Sequence, residues 1–439
     1  MLILIFCTHI TVNSQDCAQM GLTLNSQSEV EQFLIDNPSC IEIGGLVIDG
    51  SDIIDLSPLE NIEIINGDLT IMNCSQLVSI APITGVNVLS GDLTIENNQQ
   101  LKSITGFNGL TNINSFRLVN NPTLESIQGF INVVVLFGRF DVVSNMTLST
   151  VGIFENLEIV NGNFNISRND EYNSIDGYNS LTSVDGFVFS NPKTKFISGF
   201  NALVNVRGGF SFQTIDSLLN FDGLQNLKQI DGSIVISESS SLKNLDGFRS
   251  LMSVSSLTIV RNAALENVEA LSNVNSSAPF LIVRNNPKLK SLKGLQNLTL
   301  ESAELIGISD NPELNICSIF PLCEFILNPS IGNLFLENNG ANCNSQEAIL
   351  SFCVSDTTLL NFEICEDEIV SIEDSIFNKS GKYFLNLTTC LGLDSILQIN
   401  IEDSDNCEDC LFTESILGLH VLMLNGGKLT PRMALYVTP

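Results

Sequence analysis

Apolar residues recur along this chain at a long, fixed period. Between residues 46 and 338 a short alternating segment returns, and its fullest copy reads Gly91-Asp92-Leu93-Thr94-Ile95-Glu96-Asn97-Asn98, then Leu101, Ile104, Gly106 and Phe107. The last apolar residue of each copy serves as an anchor: Ile48, Ile71, Ile95, Leu118, Val142, Ile166, Phe189, Phe212, Ile236, Ile259, Ile282, Ile308 and Leu336. The first ten steps between anchors are 23 or 24 residues, and the last two lengthen to 26 and 28. Two residues before most anchors stands a second apolar residue, as in Leu69, Phe140, Phe210 and Phe280. Strand side chains alternate between faces, so each pair points inward and the residue between points out.

A helix pair needs a longer repeat than this, so each copy is one coil of a solenoid made mostly of strands and turns. The expected fold is mainly β: a right-handed, single-stranded β-helix of about 13 rungs with disulfide-stapled helical caps and a small β module after it. Each coil also carries Leu-x-x-Ile-x-Gly-Phe, as in Leu124, Ile127, Gly129 and Phe130, where glycine supplies a corner. A third apolar pair, such as Leu157 and Val160, closes the coil. Three residues before each such Leu comes a small polar residue, usually Asn: Asn98, Asn121, Asn145, Asn169, Asn191, Asn262, Asn286 and Asn311. Stacking puts these amides in one column, where they can bond backbone groups of their own turn and of the next rung. Cys74 occupies that column in the first full repeat and reads as a structural thiol.

Residues 1–15 hold a short apolar segment and read as a secretory signal. Residues 16–355 form the solenoid. At its start, Cys17 and Cys40 bracket a helix opened by Ser26 and Glu29, with Val30, Phe33 and Leu34 on one face. This is a terminal cap, stapled by a Cys17–Cys40 disulfide, which a solenoid needs to cover its open strands. At the far end Cys317 and Cys323 flank a short apolar segment, and residues 343–353 read as a capped helix closed by Cys343–Cys353. Residues 356–404, with Cys365 and Cys390, form a small β module of alternating strands, and 405–439 are an acidic linker and an unassigned tail. Cys407-x-x-Cys410 would suggest redox or zinc chemistry in the cytosol, but lacks a second pair to complete four ligands, so a disulfide is favoured. Cysteines gathered in caps and tail fit an oxidising compartment, and hence a secreted or cell-surface protein.

Charge and composition narrow the functions. The formal net charge is −30. Residues 1–100 hold 13 acids and no Lys or Arg, while 294–439 hold 21 acids against four bases. Such a surface repels nucleic-acid phosphates. No apolar run reaches the roughly 18 residues that span a bilayer. The two histidines, His9 and His420, lie at opposite ends, which argues against Ser-His-Asp or Cys-His catalysis. No phosphate loop, metal-ligand set or calcium repeat is present in the sequence, so no cofactor and no metal are expected. Outward positions offer a candidate contact surface: Arg168, Arg261 and Arg284 beside the valines Val260 and Val283.

The repeat resembles the receptor L-domain family, the leucine-rich-repeat-related β-helical modules that hold ligands in the epidermal growth factor and insulin receptors. The resemblance rests on Cys17…Cys40-Ile41-Glu42-Ile43-Gly44-Gly45-Leu46-Val47-Ile48 and on the repeated Gly-x-Leu-x-Ile…Asn-x-x-Leu…Ile-x-Gly-Phe, over about residues 17–353. It is similar still more to long L-domain-like arrays on secreted bacterial proteins, through the Cys and Asn spacing of 315–353. Residues 356–404 resemble a β repeat of bacterial surface proteins, although Leu393 stands where that pattern has Cys and Cys390 lies three residues earlier. The resemblance implies a non-enzymatic recognition or adhesion protein that binds a protein or glycan through an exposed sheet. A structural stalk is the alternative, and a polysaccharide-active enzyme a more distant one.

Overall fold

A computed structural model describes residue 17, residues 21–149, 154–327 and 332–353, and a set of strands between 358 and 429. The chain divides into two units, Met1–Ile349 and Leu350–Pro439.

In the first unit one parallel strand per coil joins a long sheet, from Leu22–Leu24 to Asn333–Glu337. The inward residues align rung by rung: Leu46 beside Leu69, Leu93 beside Phe116, Phe116 beside Phe140, Phe140 beside Phe164. Parallel pairing of coil on coil is what a 23–24-residue period requires, because each strand can satisfy its backbone only on its neighbours. The middle of the core is a double column of rings. Phe116, Phe140, Phe164 and Phe187 stack at centroid spacings of 5.4, 4.6 and 5.4 Å. Phe130 and Phe154, stacked at 5.1 Å, meet that column edge-on, as in the Phe116–Phe130 pair inclined at 71°. Offset stacks within a column and edge contacts between columns are the two favoured aromatic geometries.

One rung departs from the sequence reading. Phe280 and Ile282 were expected inward; instead Leu281 and Val283 are buried and pair with Leu257 and Ile259. Phe280-Leu281-Ile282-Val283 is apolar throughout, so alternation cannot choose a face. The asparagine column chooses it: Val283 precedes Asn286 by three residues, as Ile259 precedes Asn262.

That column is a ladder of buried amides. The Asn121 Nδ2 donates to the Ile95 carbonyl at 3.1 Å, and the Asn121 backbone N–H donates to Asn145 Oδ1 at 3.0 Å. Asn145 repeats the pattern with Leu118 and Asn169 at 3.1 and 3.0 Å. These amides are fully buried, as are Asn98, Asn191, Asn262, Asn286 and Asn311. Ile215 and Ser239 interrupt the column, and Asn339 continues it beyond Asn311. Cys74 heads it as a buried free thiol whose backbone N–H donates to Asn98 Oδ1 at 3.1 Å. Burial pushes that thiol's pKa up.

The start of the unit is covered by the helix Gln27–Asp36, capped by Ser26. Gln27 ties it to the next coil by accepting the backbone N–H groups of Ile54 and Asp55 at 2.9 and 3.0 Å. Val30 and Phe33 are buried, but Leu34 is 37% exposed, because the helix rests on a narrow stripe only. Cys17 and Cys40 are joined, with Cα atoms 5.8 Å apart. At the far end the helices Phe320–Leu327 and Gln346–Leu350 follow the last coils. Cys343 pairs with Cys317, not with Cys353 as the sequence suggested. The short loop between Cys343 and Cys353 made that pairing look local, whereas the neighbouring coil brings Cys317 within 5.6 Å (Cα–Cα) of Cys343. Cys323 and Cys353 are also disulfide-bonded.

A narrower ladder runs along the wall preceding the long sheet. Glu42–Ile43, Ile64–Ile65 and Val88–Leu89 form one three-stranded piece. From its buried residue to the first inward residue of the main strand is four residues in the coil of Leu89 and Leu93, but three in that of Ile113 and Phe116. Where the corner shortens from four to three, the ladder does not always survive. Between the coils of Val160 and Val184 it stays paired, Ile159 with Ser183 and Val160 with Val184, and the register shifts in the corner that follows. Between those of Ile230 and Val254 a single bridge remains, Gln229 to Ser253. Between Leu89 and Ile113 the described strands do not pair.

From residue 358 on, the described residues of the second unit are β-strands. Thr358–Ile364 lies parallel to Asp394–Asp403, which pairs antiparallel with Gly381–Thr388. Glu368–Ile372 pairs antiparallel with both Ser375–Phe377 and Leu419–Asn425. Strands Thr413–Ile416 and Lys428–Leu429 join the same sheet, in a stretch where the sequence showed no pattern. Cys365, Cys390, Cys407 and Cys410, and the signal segment 1–15, lie outside the described residues.

Candidate functional site

The outward face of the long sheet changes character along the unit. Its central column reads Thr70, Thr94, Arg117, Asp141 and Asn165 in the earlier coils, all polar and partly exposed. Arg117 Nη1 contacts Glu96 Oε2 at 2.5 Å, and Asn165 Nδ2 donates to Asp141 Oδ1 at 3.4 Å. Burial against the sheet raises the Asp141 pKa, and the Arg139 guanidinium 3.8 Å away partly offsets it.

Past Val188, Ser211, Val235 and Thr258, the last coils carry larger apolar side chains on this face. Three strands lie in register, Phe280–Arg284, Leu305–Ser309 and Asn333–Glu337. Their outward residues form a grid: Phe280, Leu305 and Asn333 in one row, Ile282, Gly307 and Phe335 in the next, Arg284, Ser309 and Glu337 in the third. Phe280 is 41% and Phe335 59% exposed. Gly307 leaves a notch between Ile282 and Phe335. A Cβ there would meet only the Ile282 Cδ1, at 3.2 Å, so the space is open and not filled by backbone. Arg284 borders the grid, with its Nε 3.3 Å from Asp310 Oδ2. The Asn338 amide, donating at 2.9 Å, is the main reason the Asp310 carboxyl titrates below the usual range, with Arg284 adding to it. The Asp310 carboxylate thus faces the Arg284 guanidinium at the rim of the grid.

The sequence-derived contact residues divide. Val260 and Arg284 are direct neighbours across adjacent strands, both on the outward face. Val283 is buried and cannot contact a partner. Arg168 and Arg261 leave the sheet at its edge, in left-handed conformations with φ of 56° and 58°. They share that corner column with Asn73, Asn97, Asn120, Glu238 and Asp310. Arg261 reaches Glu238 at 3.1 Å, an exposed pair worth little to stability. Phe280 and Ile282 were read from sequence as inward residues, and Leu305 and Phe335 were not singled out. The signal was there, in the four-residue apolar run at 280–283 and in a second strand, Leu334-Phe335-Leu336, whose outward position is aromatic.

Among the described residues no three His, Cys, Asp or Glu side chains gather in a metal-binding arrangement, and no helix is long and apolar enough to cross a membrane. Neither a scan against protein-family models nor a search of curated proteins finds a match.

Proposed function

We propose that this is a non-enzymatic recognition protein of the cell surface or extracellular space, whose apolar grid on the last three coils takes a protein partner. The single observation that carries this reading is one registered patch on the outward sheet face, in which Phe280 and Phe335 are exposed and Ile282 and Leu305 half-buried. Exposed apolar patches rimmed by polar residues mark interaction sites, and aromatic anchors supply most of the binding energy. The net charge of −30 favours a partner with basic residues around an apolar centre. Disulfides in both caps are compatible with an oxidising location. The receptor L-domain resemblance points to the same use of a sheet face, and the chain is proposed as a member of that wider group.

The test uses the full chain as bait against the surface and secreted proteins of its own source, alongside a Phe280→Ser/Phe335→Ser variant. The reading expects a protein ligand held by the native chain and lost by the variant, with Arg168→Ala unchanged. A spacer would lose nothing in either variant.

A further inference from the structure

A second site lies on a different wall of the solenoid, where the narrow ladder breaks between Val88–Leu89 and Asn112–Ile113. There the two coils part into an open depression of about 340 Å³, at the small end of the 300–1,000 Å³ typical of ligand sites. Its floor is apolar: Ile113 is 1% exposed, and Leu89, at 6%, is more open than the buried Ile65 one coil before. The walls carry Asn87, Thr111, Asn112 and Asn114, with Phe137 at one end. None of the described residues lining it is ionisable.

Phe137 is out of place by the logic of the fold. It follows the buried Leu136, and the equivalent residues in neighbouring coils are Asn66, Ser90, Asn114, Asn161, Asp185, Arg207 and Asp231. One aromatic side chain, 59% exposed, interrupts a polar column at the lip of the depression. Packing does not demand it. Asn114 is oriented beside it: its Nδ2 donates to Asp92 Oδ1 at 2.6 Å, which leaves its Oδ1 as an acceptor for a ligand.

From this arrangement we infer that the depression seats a neutral sugar residue of a glycan. A pyranose presents one face of C–H groups and a rim of hydroxyls. An exposed ring suits the first, and amides and a threonine hydroxyl, each able to accept or donate, suit the second. The lack of ionisable lining residues disfavours phosphate, sulfated or carboxylated ligands, which need a basic partner to repay desolvation. This site is separate from the Phe280–Phe335 grid, so the two assignments stand or fall independently.

The experiment measures saturation-transfer NMR and equilibrium binding of the full chain with maltotetraose, cellotetraose, laminaritetraose and mannotetraose, and with tetragalacturonate as the acidic comparison. At least one neutral probe should bind saturably at or below about 10 mM. Phe137→Ser, which restores the polar character of its column, should weaken that binding roughly tenfold or more without lowering Tm. Phe335→Ser should leave it unchanged. The inference is overturned if no neutral probe binds, if binding survives Phe137→Ser, if it is lost in Phe335→Ser, or if the acidic probe binds more tightly.

Discussion

Asn286 accepts the backbone N–H of Asn262 through its Oδ1 at 3.0 Å, and so welds two coils 24 residues apart. Its Nδ2 also donates to the Ile259 carbonyl at 2.9 Å and to the Arg284 carbonyl at 3.1 Å. One buried amide thus serves three backbone groups, two of them in fully buried bonds, and it sets which of four consecutive apolar residues turn inward.

Replacing Asn286 by Ala leaves those groups without their partner. The expected cost is about 3 kcal/mol, the scale of losing several buried hydrogen bonds at once. Urea unfolding measures it, and amide exchange should quicken over Phe280–Arg284. An unchanged midpoint would show that the ladder is ornamental.

Gly129 adopts φ +136°, and a Cβ on it would lie 1.8 Å from the Gly106 carbonyl oxygen. Gly129→Ala should destabilise by roughly 3 kcal/mol or more, because both the conformation and the approach are closed to a side chain. Gly307→Ala, in ordinary backbone, should be tolerated in the same thermal melt while filling the notch beside Phe335.

Tyr178 stands in the aromatic core, and its buried hydroxyl has no hydrogen-bond partner among the described residues. Tyr178→Phe keeps the 5.4 Å stack on Phe200 and removes an unsatisfied group. It should raise stability by about 1–2 kcal/mol, seen as a higher Tm.

The Cys317–Cys343 link closes a separation of 26 residues. Replacing both residues by Ser should cost about 3 kcal/mol, and digestion of the native chain after glutamate should recover the 314–324 and 338–347 peptides joined.

Asp141 supplies a pH signature. Its folded pKa is raised above the usual 3.8, chiefly by burial, so the folded state binds this proton more tightly than the unfolded state. Its share of stability is therefore fullest below 3.8 and is lost as pH rises through the elevated value. Asp141→Asn should remove that loss. The Tm difference between variant and native chain should favour the variant more at pH 6 than at pH 3.5.

Much of this architecture was written in spacing. Pairs such as Leu69 and Ile71 fix a face because a polar residue separates them, and the amide three residues on marks the same rung. The face of Phe280–Val283 was not legible from alternation, since all four residues are apolar. The partner of Cys343 was hidden because a coil brings distant residues together more readily than loop length suggests. The apolar grid was partly visible: Arg284 and its neighbour Val260 were found, but Phe335 emerged only once register placed it beside Gly307. Phe137 gave a clue that periodicity alone could have exposed, a ring in a column of amides and acids.

The corner between Ile113 and Phe116 is one residue shorter than its predecessor, and the next coil, Leu136 to Phe140, returns to full length. The disturbance is thus confined to a single seam. A scaffold of this kind can gain a concavity by subtraction, with every coil above and below keeping its place.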